Sequence, residues 1–337
     1  MTDIVVHIGL NKTGTSSIQD FLSMNADALL ERGICYPRAG REQTAHHPLS
    51  YWLKKLPEDA DPRTLAPGAA LRDEIRASGA RLVVLSSEDF HTHGPRGVRH
   101  LAQLLEGHDV RIVLYLREHL AYLASWYQQN VQASHLSAAF DTFCYFARTP
   151  FHVTAERWTQ AFGHDGLVLR LYDRERLVER DIVRDFAQAA DLRVGPEGLQ
   201  RKPFDSNPSV AGNVLFAKRL INNFIDKRAA AALNDDITVL SKLAPAFRGT
   251  MHVDETVVNY VAEIYAADRA KLHKRHGLAI VPCAGARAGS LTPDLRTLSG
   301  DWEMLRGEAV KRSLPIAREF ALLSLGDLGS LLPPPLR

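Results

Sequence analysis

Cysteine is scarce. The 337 residues include only Cys35, Cys144 and Cys283, with no C-x-x-C spacing, which argues against a disulfide framework and a cysteine-built zinc site. Long apolar runs are missing too: no stretch approaches the roughly 18 continuous apolar residues a membrane-spanning helix needs. The start, Met-Thr-Asp-Ile-Val-Val, lacks a basic region followed by a long apolar core, so no secretory leader is expected. Charge of one sign is not in excess, since 41 Lys and Arg against 39 Asp and Glu leave a net +2. No global field therefore favours nucleic acid or an anionic membrane surface. Together these absences predict a cytoplasmic protein with reduced cysteines.

What is present is the composition of an ordinary globular protein, 45% hydrophobic and 24% charged. The length suits one large domain or two. Nearly continuous branched or leucine-rich runs at 4–10, 82–86, 110–116 and 167–172 read as parallel strands covered on both faces. Helical stripes lie between them. Ile18, Phe21, Leu22 and Leu29 form one, with Gly33 placed to end it; Leu120, Leu123, Ala124, Tyr127 and Val131 form another. Strands alternating with helices predict an α/β fold built on a parallel sheet.

Beyond about residue 175 the pattern turns mainly helical. Asn207 and Pro208 are placed to start a helix carrying Val210, Val214, Ala217, Ile221 and Phe224. A second helix is expected from Asp254 to near His276, stopped by Gly277. Residues 38–66 are expected to form a long loop. The domain is placed at 1–283, its helical part at 200–280, and a linker and tail holding one helix at 284–337.

Residues 4–17, Ile-Val-Val-His-Ile-Gly-Leu-Asn-Lys-Thr-Gly-Thr-Ser-Ser, carry the most chemistry. A strand runs into a loop with two glycines, one lysine and a cluster of hydroxyls, and a helix begins at once. Backbone amides, a helix N-terminus and an ammonium then converge on one spot, which suits a phosphate. A plain strand–turn–helix junction, with Thr15 or Ser16 as cap, is the competing explanation. In the common nucleotide-triphosphate loop, lysine directly precedes the Ser or Thr; here Lys12 lies two residues before Gly14.

The segment Gly9-Leu-Asn-Lys-Thr-Gly-Thr-Ser-Ser17 resembles the 5′-phosphosulfate loop of sulfotransferases that use 3′-phosphoadenosine-5′-phosphosulfate (PAPS), which reads G-x-x-K-x-G-T-[ST]. The resemblance implies a P-loop-like parallel sheet flanked by helices, with PAPS as donor and the nucleotide PAP as product. It assigns the 5′ end to Asn11, Lys12, Thr13, Gly14, Thr15, Ser16 and Ser17. The family's 3′-phosphate site pairs a strand-end arginine with a serine eight residues later, which matches Arg117 and Ser125. A proline often found two residues after that arginine is replaced here by His119. Motif support covers roughly residues 1–175, weakens through about 280, and is absent from the tail.

Some branches of this family take the acceptor's proton with a histidine, others with a glutamate after a central strand. Glu88 follows the strand at 82–86, which places it at a sheet's carboxyl edge. It resembles the glutamate of the carbohydrate-modifying branches, so the acceptor is expected to be a hydroxyl of a carbohydrate or glycolipid. His91 and His93 are the rival bases; a metal on them is disfavoured because no third ligand is evident. Tyr51, Trp52 and Trp126 are open as stacking surfaces, Tyr172 and Asp173 as nucleotide-lining residues, and Arg201 and Lys202 as a phosphate contact. The alternatives are a P-loop kinase or NTPase, and a family member that binds nucleotide or glycan without turnover.

Overall fold

Five short runs pair into one sheet, all parallel, in the order β2-β3-β1-β4-β5. They are β1 (Asp3–His7), β2 (Ile34–Cys35), β3 (Leu82–Ser86), β4 (Asp109–Leu116) and β5 (Leu167–Leu171). The computed structural model describes residues 2–202, 209–284 and 289–323. In chain order the first helices are α1 (Thr15–Met24), α2 (Ala26–Glu31), α3 (His47–Lys55), α4 (Ala66–Ser78), α5 (Pro95–Leu104), α6 (His119–Ala133), α7 (Phe140–Phe146) and α8 (Phe151–Phe162). The rest are α9 (Ile182–Ala189), α10 (Gly212–Ile221), α11 (Lys227–Ala232), α12 (Asn234–Leu240), α13 (Glu255–Ile264), α14 (Ala266–His276), α15 (Leu298–Lys311) and α16 (Ala317–Leu322). Among the described residues no helix is long and apolar enough to cross a membrane.

The chain divides into two compact units, each interrupted in sequence: residues 1–118, 150–205 and 265–281 form the first, and 119–149, 206–264 and 282–337 the second. The helix after β4, the helices from α10 to α13 and the described tail helices build the core of the second unit.

In the first unit β1 is central, with Val5 opposite Val84 on one neighbour and Arg111 on the other. One sheet face packs Val5, Val84, Val113 and Tyr115 against Ile18, Phe21 and Leu22 of α1 and Val183 and Phe186 of α9. The period of two turns Ile4, Val6, Val83, Leu85, Ile112 and Leu114 to the opposite face, where all are buried. That is why the strands read as continuous apolar runs. Each buried branched side chain contributes about 1.5–3 kcal/mol, so both faces fix the register. Sequence neighbours leave β1 for opposite sides of the sheet, first to β2 and β3 and later to β4 and β5. The carboxyl end of β1 is thus the switch point where open α/β sheets receive ligands.

In the second unit α10 is buried almost along its whole length, through Val214, Leu215, Phe216, Ala217, Leu220 and Ile221, and packs on α6 and α15. Lys218 is fully buried there. Its ammonium donates to the carbonyls of Val131 at 3.3 Å and Ser134 at 3.4 Å and to the Asn222 side chain. A cation at the α6 C-terminus suits the helix dipole, while burial pulls the Lys218 pKa down to about 8.

Several elements differ from expectation. Residues 47–55, inside the expected loop at 38–66, form α3 with Pro48 in its first turn and Leu49 and Leu53 buried. The helix expected to follow Asn207 starts at Gly212, and Val210 instead makes a bridge to Arg248; Asn207 and Pro208 lie outside the described residues. The helix expected over 254–276 is two helices, broken at Tyr265 and closed by Gly277 in a left-handed conformation. The described part of the tail holds two helices, α15 and α16, whose Trp302 and Phe320 rings meet edge-on at 5.1 Å.

Candidate functional site

The loop after β1 stays bonded to the sheet before it turns. Ile8 N donates to Val113 O at 3.0 Å, Leu10 N to Tyr115 O at 2.9 Å, and Tyr115 N to Gly9 O at 2.7 Å. The chain then reverses through Lys12 at φ 65° and Gly14 at φ 80°. Only glycine fits at 14: a Cβ there would lie 2.9 Å from Ile182 Cγ1 and 3.1 Å from the Tyr172 ring. The Thr13 hydroxyl is buried and donates to Leu10 O at 2.6 Å, so this side chain closes the turn and leaves only its backbone to face a ligand.

Helix α1 opens at Gly14 with no side-chain cap, so neither Thr15 nor Ser16 serves as one. The first-turn hydrogen bonds begin at Ser17 N and Ile18 N, both to Gly14 O. The amides of Thr15 and Ser16 donate to no described residue, which leaves the orphan donors that make helix starts anion sites. Ser16 is exposed, Ser17 half-buried and Thr15 buried. Lys12 makes no ion pair with a described carboxylate. Its pKa is lowered, first by burial and then by the nearby Arg117 charge. Two cations brought together in this way fit an anionic ligand.

Arg117, just past β4, donates from Nη1 to Lys12 O at 3.1 Å. Its guanidinium carbon lies 5.7 Å from the centre of the Tyr172 ring, so Tyr172 belongs both to this contact and to the packing against Gly14. Ser125 lies on α6, half-buried, in the second unit.

Glu88 begins a 3₁₀ turn, Glu88–Thr92, straight after β3. The turn is strapped to the continuation of β1: Ser87 N donates to His7 O at 3.1 Å and His91 N to Ile8 O at 3.2 Å. A Cβ on Gly9, at φ +100°, would sit 3.0 Å from Glu88 Cα. Gln19 Nε2 of α1 donates to Glu88 Oε2 at 2.7 Å. The loop, the α1 start, Glu88 and Arg117 therefore occupy one end of one sheet.

The rival histidines have other duties. His93 is buried, with Nε2 2.8 Å from Ser50 Oγ. His91 turns Nδ1 to the carbonyl of Glu88, and burial lowers its pKa. Among the described residues no group of three or more His, Cys, Asp or Glu side chains is arranged to hold a metal. Arg201 pairs with Asp181 at 2.7 Å and Lys202 with Asp20 at 2.8 Å. Trp126 packs on Tyr122 and Phe143 at 5.9 and 5.2 Å. Tyr51 remains about half exposed, at 49%.

Sequence reasoning missed His47. It opens α3 with Nδ1 2.8 Å from Ser87 Oγ and 3.1 Å from Asp89 Oδ2, while Nε2 lies 3.8 Å from Glu88 Oε1. The available signal was Pro48 followed by Leu49, Trp52 and Leu53 at helical spacing and by Lys54 and Lys55.

The fold and this site define an α/β protein with a strand–loop–helix carrying Lys12 at the carboxyl edge of a five-stranded parallel sheet. No family model matches the chain. A protein of Archaeoglobus fulgidus, described as uncharacterized, is 29% identical over 142 residues, 42% of this chain. The chain matches 38% of that relative's length. A crystal structure of a sulfotransferase from Alicyclobacillus acidocaldarius is similar at a TM-score of 0.46 and 15% identity, over 81% of this chain and 95% of that one.

Proposed function

We propose that this chain is a PAPS-dependent sulfotransferase acting on a hydroxyl of a carbohydrate or glycolipid. The observation that carries the reading is the gathering of the Gly9–Ser17 loop, Arg117 and Glu88 at one sheet end, where burial and then the nearby Arg117 charge depress the Lys12 pKa. The loop's match to G-x-x-K-x-G-T-[ST] adds the chemical identity of the anion.

In this reading the Thr15 and Ser16 amides and the Ser17 hydroxyl hold the donor's 5′ end. Asn11, Thr13 and Gly14 shape the loop. Lys12 neutralises charge on the leaving phosphate. Arg117 is assigned to the 3′-phosphate, where a planar fork suits a dianion; Ser125 joins it on the eight-residue motif spacing. The donor supplies an electron-poor sulfuryl group, so catalysis is alignment and charge stabilisation, as in phosphoryl transfer. Glu88 takes the acceptor's proton, provided that proton lies within about 3 Å of it. Tyr51 offers a flat face beside Glu88 for a sugar ring.

Calorimetry with PAP, AMP and ATP–Mg²⁺, followed by labelled-sulfate transfer from PAPS to a glycan panel, tests the reading. PAP binding at least about tenfold tighter than AMP, a difference of about 1.4 kcal/mol, with transfer to a glycan, supports it. Preference for ATP–Mg²⁺ over PAP sinks it.

A further inference from the structure

His47 stands between two consecutive carboxylates. Nδ1 lies 3.1 Å from Asp89 Oδ2 and Nε2 3.8 Å from Glu88 Oε1, while Gln19 holds the other Glu88 oxygen at 2.7 Å. Ser87 Oγ also lies 2.8 Å from Nδ1, and with a carboxylate oxygen facing each ring nitrogen the placement is most favourable when both nitrogens carry protons. The Tyr51 ring stacks on the imidazole at 6.3 Å and 30°.

We propose that His47, as an imidazolium, is the positioning residue that holds the Glu88 carboxylate beside the phosphate-type loop. The inference rests on the reading of Glu88 as the proton acceptor. It names a residue from a different element, α3, that acts on the reaction through Glu88.

The electrostatics agree with the geometry. The His47 pKa is raised above its usual 6.5, first by the hydrogen bond to Asp89 and further by the Glu88 charge, against the opposing effect of burial. Asp89 is pulled down to about 2, chiefly by the same contact. Glu42, in the segment before α3, adds to the rise; His46 lies beside His47, and Lys54, further along α3, acts on Asp89. A raised folded-state pKa means that the protonated clamp is complete below 6.5 and is lost as pH rises through the shifted value. The ion pair that fixes the orientation of the Glu88 carboxylate is then lost, and turnover should fall on the alkaline side.

Two measurements on the full-length chain test this. In an imidazole ¹⁵N NMR titration without ligand, the His47 midpoint should lie above 6.5 and drop by about 0.5 pH unit or more in E88Q, as expected for losing one charge near 4 Å in a water-like medium. An unchanged midpoint in E88Q overturns the clamp, and this result does not depend on any His47 variant folding. With PAPS as donor and water as acceptor, sulfate release by the wild type should decline above the NMR midpoint. H47Q should be about tenfold slower or worse, without that alkaline decline and with unchanged PAP affinity by calorimetry. A wild-type rate and profile in H47Q overturns this inference alone, whereas absent PAP binding by the wild type overturns the donor reading on which it stands.

Discussion

Arg117 Nη1 donates to the carbonyl oxygen of Lys12 at 3.1 Å, across 105 positions of sequence. This bond ties the exit of β4 to the turn of the loop and holds two cations together whose charges repel. The guanidinium also lies over the Tyr172 ring.

Arg117→Ala should separate the two ends of the proposed donor. Losing a charge-assisted hydrogen bond to a phosphate removes about 1.5–3 kcal/mol. PAP affinity should therefore fall by about 10- to 100-fold and AMP affinity by less than about threefold, measured by calorimetry. Equal losses would remove the 3′-phosphate from the assignment.

Lys12→Ala should leave the fold intact, because Lys12 is only partly buried and makes no described ion pair. Removing one preorganised charge-stabilising group costs about 10²- to 10³-fold in turnover. Sulfate transfer rates with the acceptor identified by the glycan panel provide the check, and near-wild-type turnover would take Lys12 out of the chemistry.

Gly14→Ala should lower stability. The left-handed backbone costs a non-glycine residue roughly 1–2 kcal/mol, and the new methyl meets Ile182 Cγ1 at 2.9 Å. Urea unfolding should show a lower midpoint with an unchanged slope; an unshifted midpoint would mean that the loop relaxes freely.

Acid should destabilise the protein well above the carboxylate range. Burial holds His7 and His46 down to about 3 and His93 to about 4, against 6.5 in the unfolded chain. Between these values the unfolded state binds more protons, so stability rises with pH and is lost as pH falls below 6.5. The slope approaches about 1.4 kcal/mol per pH unit for each histidine. Melting temperatures should drop from pH 6.5 to 4, and His46→Gln should flatten the curve; a flat wild-type profile would contradict the burial argument.

Sequence pattern revealed most of the sheet. β3 is bounded as expected and β4 and β5 to within one residue, because strands covered on both faces must be apolar throughout, whereas β1 ends three residues earlier than expected. β2 was invisible because two residues carry no period. The single helix expected from Ile18 to Gly33 is broken at Asn25, whose side chain donates to Phe21 O at 2.7 Å and Gln200 O at 2.8 Å, a tertiary contact that local pattern does not encode. In the candidate site, the loop and Arg117 were legible because their spacing is rigid. The Thr13 hydroxyl's bond to Leu10 O was not legible, since it depends on how tightly the turn closes. His47 stayed hidden because its meaning comes from Glu88 and Asp89, about 40 positions away.

Gly9 and Glu88 lie back to back: a methyl on Gly9, already at φ +100°, would meet Glu88 Cα at 3.0 Å and Cβ at 3.1 Å. The separation of the phosphate-type turn from the carboxylate is thus written into main-chain geometry, which side-chain exchange cannot tune. Anyone reshaping this end of the molecule for a bulkier acceptor has latitude at Tyr51, whose ring is open to solvent, and none at position 9.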